Sequence, residues 1–179
     1  MIGRASLVPS NGTDLHSAEY MDYKKEEITA HHARDIVHIN AGGIRFTTVY
    51  DTLAQSKSSY FLNFIRVDRT SGKIVLLKQR TIRDEGGAIF VNRDGHLFAH
   101  VLQFMRDGKN TVLPKDDGVL AQLKREADFF GMDAFKYLIQ ETLIDMEKEQ
   151  QAKNGDIAAI RAAVNQIANN TYYNTGGRN

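Results

Sequence analysis

Apolar and polar positions in the first half of the chain follow the short runs of β-strands. Ile36, Val37 and Ile39 form an apolar run that leads through Ala41-Gly42-Gly43 into a second extended run, Ile44–Tyr50. Two β-rich runs joined by a glycine turn predict a β-hairpin, because glycine readily adopts the positive φ of a tight turn. Two further strands are predicted at Lys73–Leu77, inside the polar connection Arg66–Gly87, and at Ala88–Asn92.

The second half has the three-and-four spacing of amphipathic helices. Each of three predicted helices follows an aspartate that can cap its N-terminus. These caps are Asp94, either Asp116 or Asp117, and Asp133. Gly108 and Gly131 end the first two helices, as glycine does after many helices. Strands followed by helices predict an α+β fold.

The end of the chain carries a separate apolar stripe. Asn154-Gly155-Asp156 predicts a break and a new helix start, after which apolar residues recur at intervals of three, four and three: Ile157, Ile160, Val164 and Ile167. This spacing is typical of a short coiled-coil seam, and so short a helix needs a packing partner. Two alternatives remain open: the stripe packs on its own domain, or it is a site of self-association between subunits.

Three regions are therefore expected. Apolar residues in the segment 1–34 follow neither a helical nor a strand period for long. This segment is predicted to be a flexible arm with a transient helix around Ala18–Ile28. Residues 35–144 form the domain, and residues 145–179 form a helical tail that ends disordered at Thr171–Asn179.

Composition narrows the class of protein. Hydrophobic residues make up 42% and charged residues 25% of the chain, and the net charge is +1, so the overall charge favours neither nucleic acid nor membrane surfaces. No apolar run approaches the ~20 residues of a membrane span, and no secretory signal is recognisable. We expect a cytoplasmic protein without membrane insertion, with the nucleus as the alternative compartment. The absence of cysteine excludes disulfides, thiol catalysis and thiolate zinc sites.

Catalytic and metal motifs are absent, and neither a cofactor nor a metal is predicted. Gly42-Gly43 leads into a strand, so no helix N-terminus follows it to receive a phosphate. His96 and His100 lie one helical turn apart, which leaves a metal protein or an enzyme as a remote alternative, but no third ligand has a recognisable spacing. Six basic residues of the 66–87 connection predict a solvated loop: Arg66, Arg69, Lys73, Lys78, Arg80 and Arg83.

Five sequence blocks, in this order, resemble the potassium-channel tetramerisation type of BTB/POZ domain, which occurs in voltage-gated potassium channels and KCTD proteins. The blocks are Ile36–Gly43 with Phe46-Thr47-Thr48 and Thr52-Leu53; Phe90–Gly95; Phe98 with Val101-Leu102; Phe104–Gly108; and Leu113-Pro114 with Leu123–Gly131. The chain departs from the family pattern at Ala41, at Asn92 and in its long 66–87 connection. Without cysteine it cannot build the zinc site of the channel branch, so it is closest to the soluble KCTD-like branch.

The resemblance implies a small sheet flanked by helices and a domain that assembles with itself into a homotetrameric or homopentameric ring. It also implies a scaffold or adaptor, with a cullin-RING ubiquitin ligase as a candidate partner and no enzymatic activity. An alternative is a regulatory or oligomerising subunit of a membrane channel or receptor. By position in the motifs, six residues are candidates for the ring interface: Thr47, Thr48, Arg93, Asp94, Arg106 and Asp107. Four aromatic and aliphatic residues are expected in the core: Phe46, Phe98, Leu102 and Phe130.

Overall fold

A computed structural model describes residues 27–175, with side chains described up to residue 170. The strands are β1 (Ile28–His31), β2 (Ile36–Ala41), β3 (Ile44–Val49), β4 (Ile65–Val67), β5 (Ile74–Leu77) and β6 (Ile89–Val91). The α-helices are α1 (Tyr50–Gln55), α2 (Ser59–Leu62), α3 (Gly95–Asp107), α4 (Asp117–Phe130) and α5 (Asp133–Thr175). Short 3-10 turns lie at Lys78–Arg80 and Gly108–Asn110. The predicted α+β class is confirmed.

The predicted hairpin forms one edge of a three-stranded sheet in the order β3-β2-β6. β2 is antiparallel to β3 and parallel to β6, with Ile39 opposite Ile89. Val37, Ile39 and Ala41 are buried, while the intervening residues face outward or are only half-buried. This period of two places one face of the hairpin in the core.

A second three-stranded sheet, in the order β1-β5-β4, contains the strand predicted at Lys73–Leu77 as β5, and it corrects the prediction for the N-terminal arm. β1 lies within the segment predicted to be a flexible arm, and its Ile28 pairs with Leu77 of β5. Its side chains alternate only between exposed and half-buried, which explains why sequence periodicity did not reveal it. Residues 1–26 of the predicted arm, with most of the transient helix, lie outside the described residues. The 66–87 connection contributes β4 and β5, and its six basic side chains are exposed as predicted.

α3 packs on β2 and β3, α4 packs on α3, and α5 packs on α4, which together complete the core. Phe98, Leu102 and Phe130 are buried as expected. Phe46 is half-buried and meets Phe98 edge-to-face, with ring centroids 5.1 Å apart. Two of the three predicted caps are confirmed: the Asp94 and Asp116 side chains accept backbone N–H bonds at the starts of α3 and α4, and Gly131 ends α4 in the left-handed conformation. Asp133 is the first residue of α5 and not a residue that precedes it.

α5 is continuous from Asp133 to Thr175, so the break predicted at Asn154-Gly155-Asp156 is wrong. A glycine inside a helix costs only about 1 kcal/mol relative to alanine, and the surrounding alanines are the best helix formers. The helix also includes residues 171–175, which the sequence predicted to be disordered; residues 176–179 lie outside the described part.

Candidate interaction surface

The hairpin turn and the start of α3 touch through two glycines. Gly42 has a φ of 55°, and a Cβ added there would lie 2.4 Å from the Arg93 carbonyl oxygen. A Cβ on Gly95 would lie 2.5 Å from the Ala41 carbonyl oxygen. The Gly42 amide also donates to the Val91 carbonyl at 3.1 Å. Only glycine permits this backbone-to-backbone approach, which fixes Arg93 and Asp94 beside the hairpin turn.

Arg93 is held inside the protomer by a carboxylate of α4. Its Nε donates to Oε2 of Glu126 at 2.9 Å, and a second guanidinium nitrogen donates to Oε1 of the same carboxylate. The guanidinium also lies 4.5 Å from the ring centroid of Phe129, in cation–π geometry. The hydrogen bond to Glu126 raises the pKa of Arg93. Because only 30% of the Arg93 side chain is exposed, its main role in the protomer is to join β6 to α4.

Asp94 is exposed at the N-terminus of α3. Its Oδ1 accepts from the His96 amide at 2.8 Å and from the Leu97 amide at 3.2 Å. The carboxylate therefore serves as a helix cap while remaining accessible to a partner.

The opposite end of α3 meets β3. The Arg106 guanidinium donates to the Thr47 carbonyl oxygen at 2.9 Å, and the exposed Thr47 hydroxyl is 3.1 Å from Nδ1 of His38. Asp107, also exposed, accepts a hydrogen bond from Gln103. Thr48 is only 8% exposed, so of the two predicted threonines Thr47 is the one that presents its side chain to solvent.

Five of the six predicted interface residues thus form two groups at the two ends of α3, while the sixth, Thr48, is buried. Arg93 and Asp94 lie at its start, and Thr47, Arg106 and Asp107 lie at its end. The 13 residues of α3 correspond to a helix about 20 Å long at a rise of about 1.5 Å per residue. Because Glu126 already pairs with Arg93, the accessible charge of the first group is the Asp94 carboxylate, which is opposite in sign to the Arg106 guanidinium of the second group.

Two acidic residues that organise this surface were missed by the sequence analysis. Glu126, 3% exposed, lies on the buried face of α4 among Leu123, Ala127 and Phe130. A charge on an otherwise apolar helix face is a signal that spacing alone could have revealed. Asp84 accepts a hydrogen bond from Asn40 at 2.9 Å, which is the largest cause of its lowered pKa, and it also pairs with Arg45. Its partners lie about 40 residues away in the chain, beyond the reach of local patterns.

Within the described part of the chain, the structure places no further metal ligands around the histidines of the remote metal alternative. His96 is exposed and His100 is half-buried on α3. Across residues 27–170, no group of three or more histidine or acidic side chains is arranged to hold a metal ion. None of the described helices combines the length and the apolar content that crossing a bilayer requires.

The tail stripe lies on the part of α5 that extends past the domain. Met146 still packs against the core, and an ion pair between Lys115 and Glu149 at 2.7 Å holds the next turn. All side chains at residues 147–170 are exposed. The exposed fractions in the stripe are 55% for Ile157, 64% for Ile160, 57% for Val164 and 65% for Ile167.

Comparison with known proteins places this architecture in a family. The BTB/POZ domain model matches residues 37–140, more than half of the chain, and the chain therefore belongs to the BTB/POZ domain family. The domain is of the potassium-channel tetramerisation type, which confirms the resemblance noted from the sequence. BTB/POZ domains are protein-interaction domains and are typically not enzymes.

Within this family the relatives include KCTD proteins. The chain is 34% identical over 118 residues to human BTB/POZ domain-containing protein KCTD3 and 30% identical over 117 residues to human KCTD21. These alignments cover 66% and 65% of this chain but only 12% and 41% of those relatives. An uncharacterized Caenorhabditis elegans protein, 30% identical over 118 residues, is covered over 84% of its length and 64% of this chain.

Proposed function

We propose that this chain is a homo-oligomeric scaffold whose BTB/POZ domain assembles head to tail into a ring of four or five copies. The observation that carries the proposal is the division of the exposed polar residues between the two ends of α3. A ring needs a heterologous interface, in which one patch of each copy meets a different patch of the next copy. Two distinct, charge-complementary groups on one protomer supply such a pair of patches.

In this arrangement Asp94 at the start of α3 of one copy faces Arg106 at the end of α3 of the next copy. Thr47 and Asp107 flank Arg106 and add polar contacts that fix the register. Val112, 89% exposed in the connection that follows α3, adds apolar area beside the same end of the helix. Polar contacts of this kind mainly set specificity, and apolar burial contributes to affinity.

Light scattering at micromolar concentration tests the ring. The protomer has a mass of 20.1 kDa, and we expect four or five times that value. Asp94→Asn is the sharpest variant, because asparagine caps a helix as well as aspartate does but carries no charge. We expect Asp94→Asn to keep the thermal stability of the domain and to weaken assembly.

Two results would count against the ring. A monomer in the unchanged chain would end the proposal. An unaltered assembly in Asp94→Asn together with Arg106→Ala would remove these residues from the interface and leave the six-residue assignment wrong.

The adaptor role is a finer proposal that rests on the family resemblance. In it, the ring presents several copies of α5 and of the N-terminal segment to a cargo, while the BTB/POZ domain contacts a cullin of a ubiquitin ligase. Pull-down of the purified ring with a panel of cullins tests this role. Binding to none of them, with the ring intact, would reduce the proposal to a scaffold and favour the alternative of a regulatory subunit for a membrane channel or receptor.

A further inference from the structure

The exposed stripe of α5 follows the heptad rule of a coiled coil. With Ile157 at position a, Ile160 falls at d, Val164 at the next a and Ile167 at the next d. The three side chains Ile157, Ile160 and Val164 are each more than half exposed, although isoleucine and valine are usually buried. These β-branched residues project from a helix whose side chains are all exposed from residue 150 to residue 170.

The residues at a and d indicate how many helices meet. Isoleucine at both a and d favours trimers and tetramers over dimers. Alanines occupy the flanking positions g (Ala163) and e (Ala168), so the apolar face is wider than the two-residue seam of a dimer. The stripe therefore has the composition of a bundle of three or more helices.

Charged residues beside the stripe indicate the direction and register of the helices. Asp156 occupies a g position and Arg161 the following e position. In a parallel coiled coil whose helices are in register, a g residue of one helix faces the e residue five positions later on its neighbour, and such pairs set partner choice and orientation. In an antiparallel pair, g residues face g residues and e residues face e residues, so Asp156 and Arg161 would not meet.

We propose that residues 156–168 of α5 form a parallel, in-register helical bundle with other copies of this chain, with Asp156 of each copy paired to Arg161 of the next. This inference rests on the proposed homo-oligomer, because two heptads are marginal as a free coiled coil. A ring holds the tails at an effective concentration in the millimolar range, which is sufficient for weakly associating helices to pair.

Cysteine cross-linking of the full chain tests the register, since the natural chain contains no cysteine. In the Ile157→Cys variant, a short bifunctional maleimide should join copies through the same position. Ala162→Cys is the matched control, because position f lies on the far side of the same helix. We expect cross-linking at position 157 to be roughly tenfold faster than at position 162, as for groups held at high effective concentration.

The ion pair is tested on the Ile157→Cys background. Asp156→Arg brings two arginines together and should slow cross-linking by roughly twofold for each contact, the effect of a like-charge pair at an exposed site. Adding Arg161→Asp recreates an opposite-charge pair and should restore the rate. Failure of the double variant to recover would overturn the Asp156–Arg161 pairing.

Three other outcomes would overturn the bundle. These are equal rates at positions 157 and 162, no product at position 157, and product only when Ile157→Cys is mixed with Ile167→Cys, as an antiparallel pair requires. The mass of the same samples separates the two proposals. An intact ring without a cross-link at position 157 would contradict only the proposed bundle. A monomeric mass would contradict the proposed scaffold itself.

Discussion

Gly42 is constrained twice, by its own φ and by the backbone of the neighbouring segment. Gly42→Ala would combine the strain of a positive φ with a Cβ 2.4 Å from the Arg93 carbonyl oxygen. Gly43→Ala is a matched control, since Gly43 has a φ of 95° and no atom within 4 Å of an added Cβ. In Gly43→Ala we expect the φ strain alone to lower the free energy of unfolding by about 1–3 kcal/mol. In Gly42→Ala we expect a larger decrease.

Urea unfolding of the two glycine variants measures this difference. Equal losses of unfolding free energy would show that the hairpin turn moves away from α3 at no cost. The close approach to the Arg93 carbonyl would then not be the reason why position 42 requires glycine.

Glu126 shows how a buried charge depends on its partner. Glu126→Gln keeps the shape of the side chain but leaves Arg93 without its carboxylate. We expect the free energy of unfolding to fall by about 1–3 kcal/mol, the usual range for a lost hydrogen bond to a charged group. The loss should lie below that for a fully buried pair, because Arg93 is 30% exposed.

The control for Glu126 is Asp145→Asn, which breaks an ion pair with Lys148 whose two side chains are both 71% exposed. Asp145→Asn should change the free energy of unfolding by no more than about 0.5 kcal/mol, as for most exposed ion pairs. A Glu126→Gln variant with the urea midpoint of the unchanged chain would contradict the structural role of the Arg93 pair.

At the scale of elements, α5 gives a direct test of helix continuity. Gly155 lies inside the helix, and a Cβ added there would contact nothing within 4 Å. Gly155→Ala should therefore stabilise the tail helix by about 0.5–1 kcal/mol. Far-UV circular dichroism during heating should show helical signal retained to higher temperature, whereas a lower helical signal would indicate the break that the sequence suggested.

Local patterns predicted most elements and failed where distant residues decide the structure. The hairpin, the Asp94 and Asp116 caps and the end of α4 at Gly131 depend on neighbouring residues, and all were predicted. β1 was missed because it is specified by its pairing with β5, more than 40 residues away. The break at Gly155 was wrongly predicted because Asn-Gly-Asp resembles a helix end, while the alanines around it favour continuation.

The same limit applies to the candidate interface residues, because their contacts with residues distant in the chain could not be predicted from local patterns. Motif positions made Asp94, Arg106 and Thr47 candidates for the interface, but they did not predict that Arg106 contacts Thr47 or that Arg93 is bound to Glu126. Thr48 was chosen from its place in the motif, and the pleat of β3 turns its side chain into the core. Which side chain a strand exposes depends on register, and register depends on the sheet as a whole.

At the scale of the whole molecule, domain and tail should contribute differently to assembly. Removal of residues 151–179 leaves Met146 and the Lys115–Glu149 pair in place, so the domain keeps its packing. We expect the truncated chain to assemble into the same number of copies as the full chain, because the domain determines that number. It should dissociate at a concentration roughly tenfold or more higher, because the avidity supplied by the tails is lost.

Light scattering over a dilution series compares the two chains. A monomeric truncated chain at every concentration would mean that the tail alone assembles the protein. Identical dissociation of the two chains would mean that the tail contributes nothing to assembly.

The parallel pairing of β2 with β6 has a consequence for biosynthesis. Ile39 contacts Ile89 across 50 residues of chain, so the hairpin leaves the ribosome well before its partner strand exists. At a synthesis rate of about 5–20 residues per second, the unpaired edge of β2 waits roughly 2–10 s for β6. Contacts this distant in sequence also slow folding, because the loop entropy is lost before the contact is gained. The nascent chain is therefore most exposed to aggregation before β6 has emerged from the ribosome.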